Sequence, residues 1–169
     1  IENKPKNKIF YLKQIFSKIN YRKIQKMNLH TPEISEFSAV IAKELKVRKI
    51  IKIFQKRYVK QKKTIVLEGR DMSKIFYNAD VKFFVECKPL KTAAKRRWLQ
   101  LNKSKKNISL NQVLKDLKKR DFMDRNRKHS PLERDQESVY INTAKLNIKA
   151  VLDKMSKIIG KRLKNKYGS

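Results

Sequence analysis

Apolar residues recur along this chain in two rhythms. The first is helical. Thr31-Pro32-Glu33 has the form of an N-cap followed by proline at the first helical position, and Ile34, Phe37, Ala39, Ile41 and Ala42 then give a helix with one apolar face. A second helix is predicted from about Lys46 to Lys60, burying Val47, Ile50, Ile51, Phe54 and Tyr58. Pro89 opens a third, with Ala93, Ala94, Trp98 and Leu101. A polar turn spans Asn102 to Asn107. Ser109-Leu110-Asn111-Gln112 is then a capping-box pattern, and Leu110, Val113, Leu114 and Leu117 form the stripe of a fourth helix. Asn147 caps a last helix with Ile148, Val151, Leu152, Met155, Ile158 and Ile159 inward.

The second rhythm is the short apolar run. Thr64-Ile65-Val66-Leu67, bounded by lysines and by Gly69-Arg70-Asp71, reads as a strand buried on both faces. Val81 to Val85 reads as a second buried strand, whose one lysine, Lys82, can reach past the sheet on its alkyl stem. Ser138 to Thr143 is a third. Residues 1–30 form a peripheral segment: Ile9, Leu12, Phe16 and Ile19 recur at helical spacing, yet Ile, Phe and Tyr also favour strands. The order strand, helix, helix, strand, helix predicts an α/β fold with a mainly parallel sheet.

Composition changes the picture little. The 169 residues suit one domain, and three glycines and four prolines argue against a loop-rich all-β fold. One cysteine, Cys87, allows no internal disulfide and suits a reducing cytoplasm. No apolar run approaches a membrane span. A net charge of +30 suggests a nucleic-acid partner. However, the lysines are spread over the whole chain beside abundant Ile and Asn, as AT-rich coding produces, and no groove-reading helix or basic-aromatic interleaving is evident. No specific nucleic acid and no membrane partner are therefore expected. The arginines say more: nine of eleven lie between Arg48 and Arg134.

Two stretches carry candidate chemistry. Gly69 is the only glycine before residue 160, and at the end of a parallel strand it would let a ligand approach the backbone, with Arg70 offering a planar fork and Asp71 an acceptor. The alternative is a surface salt bridge in a turn. Arg120, Asp124 and Arg127 stand at i, i+4 and i+7 of a predicted helix and so share a face. They form either a salt-bridge ladder, with Asp116–Arg120 and Asp121–Arg125 also four apart, or a grip in which arginines hold phosphate while the carboxylate takes sugar hydroxyls.

In order along the chain, Glu33-Ile34-Ser35 through Ser38, Val47-Arg48 with Gln55 and Arg57, Glu68-Gly69-Arg70-Asp71, and Ala79-Asp80-Val81-Lys82-Phe83-Phe84 closely resemble bacterial cytidylate kinase, a P-loop nucleoside monophosphate kinase. The series continues through Ala94 to Leu101, Arg120-Asp121 with Asp124 and Arg127, Pro131-Leu132, and Ile141-Asn142-Thr143, so the resemblance runs from about Leu29 to Leu163. It implies a parallel sheet flanked by helices, and transfer of the γ-phosphoryl of ATP, with Mg²⁺, to CMP or dCMP by a cytoplasmic monomer. It also implies roles: Ser38, Arg48 and Asp71 read cytosine, Arg70 and Arg120 are the catalytic arginines on the acceptor phosphate, and Asp124 and Arg127 contact the sugar. Arg96 and Arg97 fall at a lid over the ATP phosphates. Residues 1–62 would form the CMP-binding insert and flanking helices, and 63–169 the core α/β domain with its lid at about 95–127.

The departures from the family pattern matter as much. Met72-Ser73-Lys74 and Tyr77-Asn78-Ala79 replace the family's Ile/Met-Gly-Thr and Phe-Pro-Asp-Ala, and Ser38 and Arg48 stand one residue further apart than usual. No Gly-x-x-x-x-Gly-Lys-Ser/Thr loop precedes them. The resemblance therefore implies the C-terminal three-quarters of such a kinase, lacking the first strand, the phosphate loop and any metal site. It would be inactive alone, and its alternatives are a noncatalytic nucleotide-binding remnant or a basic nucleic-acid-binding protein.

Overall fold

The structure is a computed structural model. It describes residues 8–19, 26, 27, 29, 31–41, 44–103 and 108–168. The chain divides into two compact units, Ile1–Gly69 with Arg127–Pro131, and Arg70–Asn126 with Leu132–Ser169.

The first unit is helical where described. Helix α1 (Lys8–Ser17) resolves the ambiguity of the N-terminal segment in favour of the helical spacing. Helix α2 (Pro32–Ile41) begins at the predicted cap, where the Ile34 amide donates to Thr31 Oγ1 at 3.3 Å. Ala42, expected on its apolar face, lies outside the described residues. Helix α3 (Leu45–Lys60) buries Val47 and Ile50 and packs on α1, with the Phe16 and Phe54 rings 5.4 Å apart.

The stretch from Thr64 to Leu67 corrects the sequence reading. It is not a strand, and Val66 is 92% exposed. A strand exists through its ladder of hydrogen bonds, and no described strand pairs with this run.

In the second unit, β1 (Phe83–Glu86) and β2 (Val139–Asn142) pair in parallel, with Phe83 opposite Val139 and Val85 opposite Ile141. Parallel pairing was expected, and Ile141 is fully buried. Complete burial of the first strand was not borne out: Val85 is 48% exposed, because the two-stranded sheet leaves one of its sides open. Lys82 behaves as anticipated. Its side chain is largely covered while Nζ reaches Glu137 at 2.6 Å and Asp135 at 3.6 Å.

Helices α5 (Leu90–Lys103) and α6 (Leu110–Asn126) form the best-packed part of this unit, following the short helix α4 (Met72–Ile75). Ala94, Leu101 and Val113 are buried, and Trp98, Leu110, Leu114 and Leu117 close around them. These are the predicted stripes at helical spacing. The indole Nε1 of Trp98 donates to the Ile108 carbonyl at 2.9 Å, and the Gln112 amide donates to the Ser109 hydroxyl at 3.1 Å. The intervening polar turn is described only at its ends, since 104–107 lie outside the described residues. Helix α7 (Ile148–Tyr167) starts at the predicted cap, Ala150 N donating to Asn147 Oδ1 at 2.8 Å. Its far end is tied to Asp80, which accepts from Lys166 Nζ at 2.6 Å and Tyr167 Oη at 2.8 Å.

Candidate active site

Asp124 organises the candidate site. It sits in the last turns of α6 at 6% exposure, a depth at which a carboxylate needs cations or donors. Two arginines supply them. Arg70 Nε lies 3.2 Å from Asp124 Oδ2, and Arg120 Nε, one turn earlier on the same helix, lies 4.0 Å from it. The backbone carbonyl of Asp124 accepts from Leu132 N at 2.8 Å, which holds the chain close after the helix ends.

Positive charge exceeds negative here. The Arg120 guanidinium is pushed below its ordinary value, first by burial and then by the like charge of Arg70, with Arg97 adding to the effect and Asp124 opposing it. Its Nε is buried and makes no hydrogen bond to any described residue. A buried donor without a partner costs about 1–3 kcal/mol. An anion between Arg70 and Arg120 would satisfy that donor and relieve the repulsion. The arrangement is therefore suited to binding a phosphate, and a guanidinium is the group best shaped to take two of its oxygens.

Asp71 follows Arg70 directly. It is 9% exposed and heads α4, its carbonyl accepting from Lys74 N at 3.1 Å and Ile75 N at 3.2 Å. Lys74, which departs from the family pattern, finds a partner in Glu133 at 2.7 Å. The sequence contained no signal for that pairing across 59 positions.

The other site candidates are distributed as follows. Ser38 lies half-buried on α2, and Arg48 half-buried near the start of α3, both in the first unit. Arg127 also belongs to the first unit, and its Nε donates to the Ser130 carbonyl at 2.5 Å. Its expected place on one helical face with Arg120 and Asp124 is corrected: α6 stops at Asn126, so Arg127 is outside the helix. Ser130, with φ at +51°, lies in the left-handed region and not in the extended one that the following proline favours. Arg97 is half-buried on α5 and donates to Gln100 Oε1 at 3.0 Å. Arg96 clamps the loop after β2, its Nη2 donating to the carbonyls of Thr143, Ala144 and Leu146 at 2.9, 3.2 and 3.0 Å.

The ladder alternative is partly realised, one residue away. Asp121 accepts from Arg125 Nε at 2.9 Å, but Asp116 accepts from Gln112 at 2.7 Å. Arg125 also reaches Glu86 of β1 at 2.6 Å, and Lys88 approaches the same carboxylate at 2.9 Å. Burial raises the Glu86 carboxyl, but the bonds from Lys88 and Arg125 outweigh it and hold it below its ordinary value. Glu86, Lys88 and Arg125, with Phe84, Arg134 and Tyr140, line a shallow cavity of about 280 Å³ on the sheet. Lys88 and Arg125 are bonded to Glu86 there, while Arg134 lies over the Tyr140 ring.

The family model of cytidylate kinase matches residues 5–161. This chain belongs to the cytidylate kinase family. It is 33% identical over 135 residues to a cytidylate kinase of Geobacter sulfurreducens, covering 79% of this chain and 57% of that protein. A cytidylate kinase of Clostridium botulinum (strain Loch Maree / Type A3) is 34% identical over 135 residues, with 79% and 59% covered. The chain thus spans a little under three-fifths of these relatives. The parallel sheet with its helices agrees with the family's α/β fold, and a kinase family implies ATP as phosphoryl donor. Among the described residues no three His, Cys, Asp or Glu side chains converge in a way that could hold a metal ion.

Proposed function

We propose that the protein carrying this chain phosphorylates CMP or dCMP at the expense of ATP, and that these residues supply its acceptor side. The observation that carries this is the surplus of arginine around buried Asp124. In this reading Arg70 and Arg120 grip the acceptor phosphate and stabilise the charge on the transferring group. Asp124 and Arg127 contact the sugar, while Ser38, Arg48 and Asp71 read the base. A loose phosphoryl-transfer transition state needs such positioning and positive charge more than a strong base. Arg97 is the better lid candidate for ATP phosphates, since Arg96 would first have to leave three carbonyls. Residues 1–62 serve as the CMP-binding insert region, and 63–169 as the core with its lid at about 95–127.

A second reading, a nucleotide-binding chain without turnover of its own, is favoured by one fact: no glycine precedes Gly69. A donor site of this kind cradles phosphates with backbone N–H groups of a glycine-rich loop, which lysines alone do not replace. Calorimetry of this chain with CMP and UMP tests the acceptor side. An ADP-formation assay with ATP, Mg²⁺ and CMP on the protein that carries it separates the two, turnover supporting the first reading and its absence the second. We expect this chain to bind CMP in preference to UMP. Asp71→Asn should narrow that preference. Failure to bind CMP at all would remove both readings.

A further inference from the structure

Helix α3 (Leu45–Lys60) carries seven lysines and arginines in 16 residues and no Asp or Glu. Lys46, Lys49, Lys52, Lys56 and Lys60 are all exposed, and none makes a hydrogen bond or ion pair with a described residue. At 3.6 residues per turn they fall within an arc of about 120°, opposite the face that Val47, Ile50 and Phe54 turn toward α1. An AT-rich composition raises lysine everywhere, but it does not choose a face or keep acids off it. Helix α7 shows the contrast: Asp153 interrupts its lysines and Lys166 is bound to Asp80.

We propose that this face of α3 is a docking surface for double-helical nucleic acid, held through its phosphodiester backbone without sequence preference. From Lys46 to Lys60 the stripe runs about 21 Å along a straight helix. One strand of a duplex offers a phosphate every 3.4 Å of axis, so about six phosphates span that length, a fair match for five ammonium groups. A duplex is favoured over a single strand because single-strand sites stack bases on exposed aromatics. The aromatics of α3, Phe54 and Tyr58, are half-buried. A lipid surface is disfavoured because only two exposed apolar residues, Leu45 and Ile53, share the arc with the five lysines. A second copy of this chain would bring like charge to like. The stripe includes none of the residues proposed for the acceptor, Arg70, Arg120 and Asp124, and its binding does not require turnover.

The test is titration of a fluorescein-labelled 20-base-pair DNA duplex with the full chain at several salt concentrations. One variant changes Lys46, Lys49, Lys52, Lys56 and Lys60 to Gln; a control changes Lys91, Lys103, Lys115, Lys145 and Lys161 to Gln, removing equal charge from scattered positions. The stripe variant should lower the slope of log K against log salt by about 4 to 5, and the control by about 1 or less. Equal loss in both variants would mean that net charge alone binds, and would overturn the proposal. So would tighter binding of a 20-nucleotide single-stranded RNA, or binding of phosphatidylglycerol vesicles with the same dependence on the stripe. Should the stripe variant fold poorly, lysine acetylation of the unaltered chain gives the answer: the duplex must protect the five α3 lysines above the control five, and protection elsewhere refutes it.

Discussion

Helix α6 holds two arginine–carboxylate pairs at the same spacing, one residue out of step, and they behave differently. Asp121 and Arg125 close at 2.9 Å, while Arg120 and Asp124 stand 4.0 Å apart. Orientation explains part of this. An acid placed N-terminal to its base agrees with the helix dipole, and the reverse order does not. The neighbours explain the rest. Arg125 meets a second carboxylate, Glu86, which also has Lys88, so two acids face two bases. Arg120 meets Arg70 and the charge of Arg97, with the Asp124 carboxylate opposing them. The first pair joins a helix to the sheet. The second holds like charges together in a way that an anion would repair. A family of nucleotide kinases has a use for the second arrangement.

That contrast can be broken most forcefully at Arg70 and Arg120. Replacing either with Ala should weaken CMP binding roughly 10- to 100-fold, since charge-assisted bonds to phosphate contribute about 1.5–3 kcal/mol each. Tm should hold steady or rise in Arg120→Ala, because repulsion is relieved, and fall in Arg70→Ala, because buried Asp124 loses its nearest cation. A fall in Tm with unchanged CMP affinity would place both arginines among the structural ion pairs.

Arg125→Ala should do the opposite. It strands the mostly covered Glu86 carboxylate and loosens α6 from β1, and we expect a loss of about 1–2 kcal/mol by urea denaturation. The figure is modest because Arg125 is over a third exposed and solvent screens it. CMP affinity should not move.

The smallest effect concerns acid. Because the Glu86 carboxyl lies below its ordinary 4.5, its contribution is complete above that pH and disappears as pH falls through the lower folded value. Thermal melts at descending pH should therefore show less acid sensitivity in Glu86→Gln, which is already uncharged, than in the unaltered chain. Identical acid profiles would mean that the network contributes nothing to the folded state.

The sequence by itself determined the local elements. The caps at Thr31, Ser109 and Asn147, and the stripes facing one another between α5 and α6, depend on spacing along one segment, and such interactions are written within a few residues. The arginines proposed for the acceptor phosphate could be singled out too, through their order along the chain. Tertiary structure decided everything that depends on a distant partner. It left Thr64–Leu67 without a ladder, since an apolar run becomes a strand only when another strand lies against it. Ending α6 at Asn126 removed Arg127 from the predicted face, and the carbonyls of residues 143–146 engaged Arg96. Most tellingly, it separated two i, i+4 pairs on one helix into a matched ion network and a positively charged cluster. That difference lies in which charges arrive from outside the helix, and no periodicity within the helix can encode it.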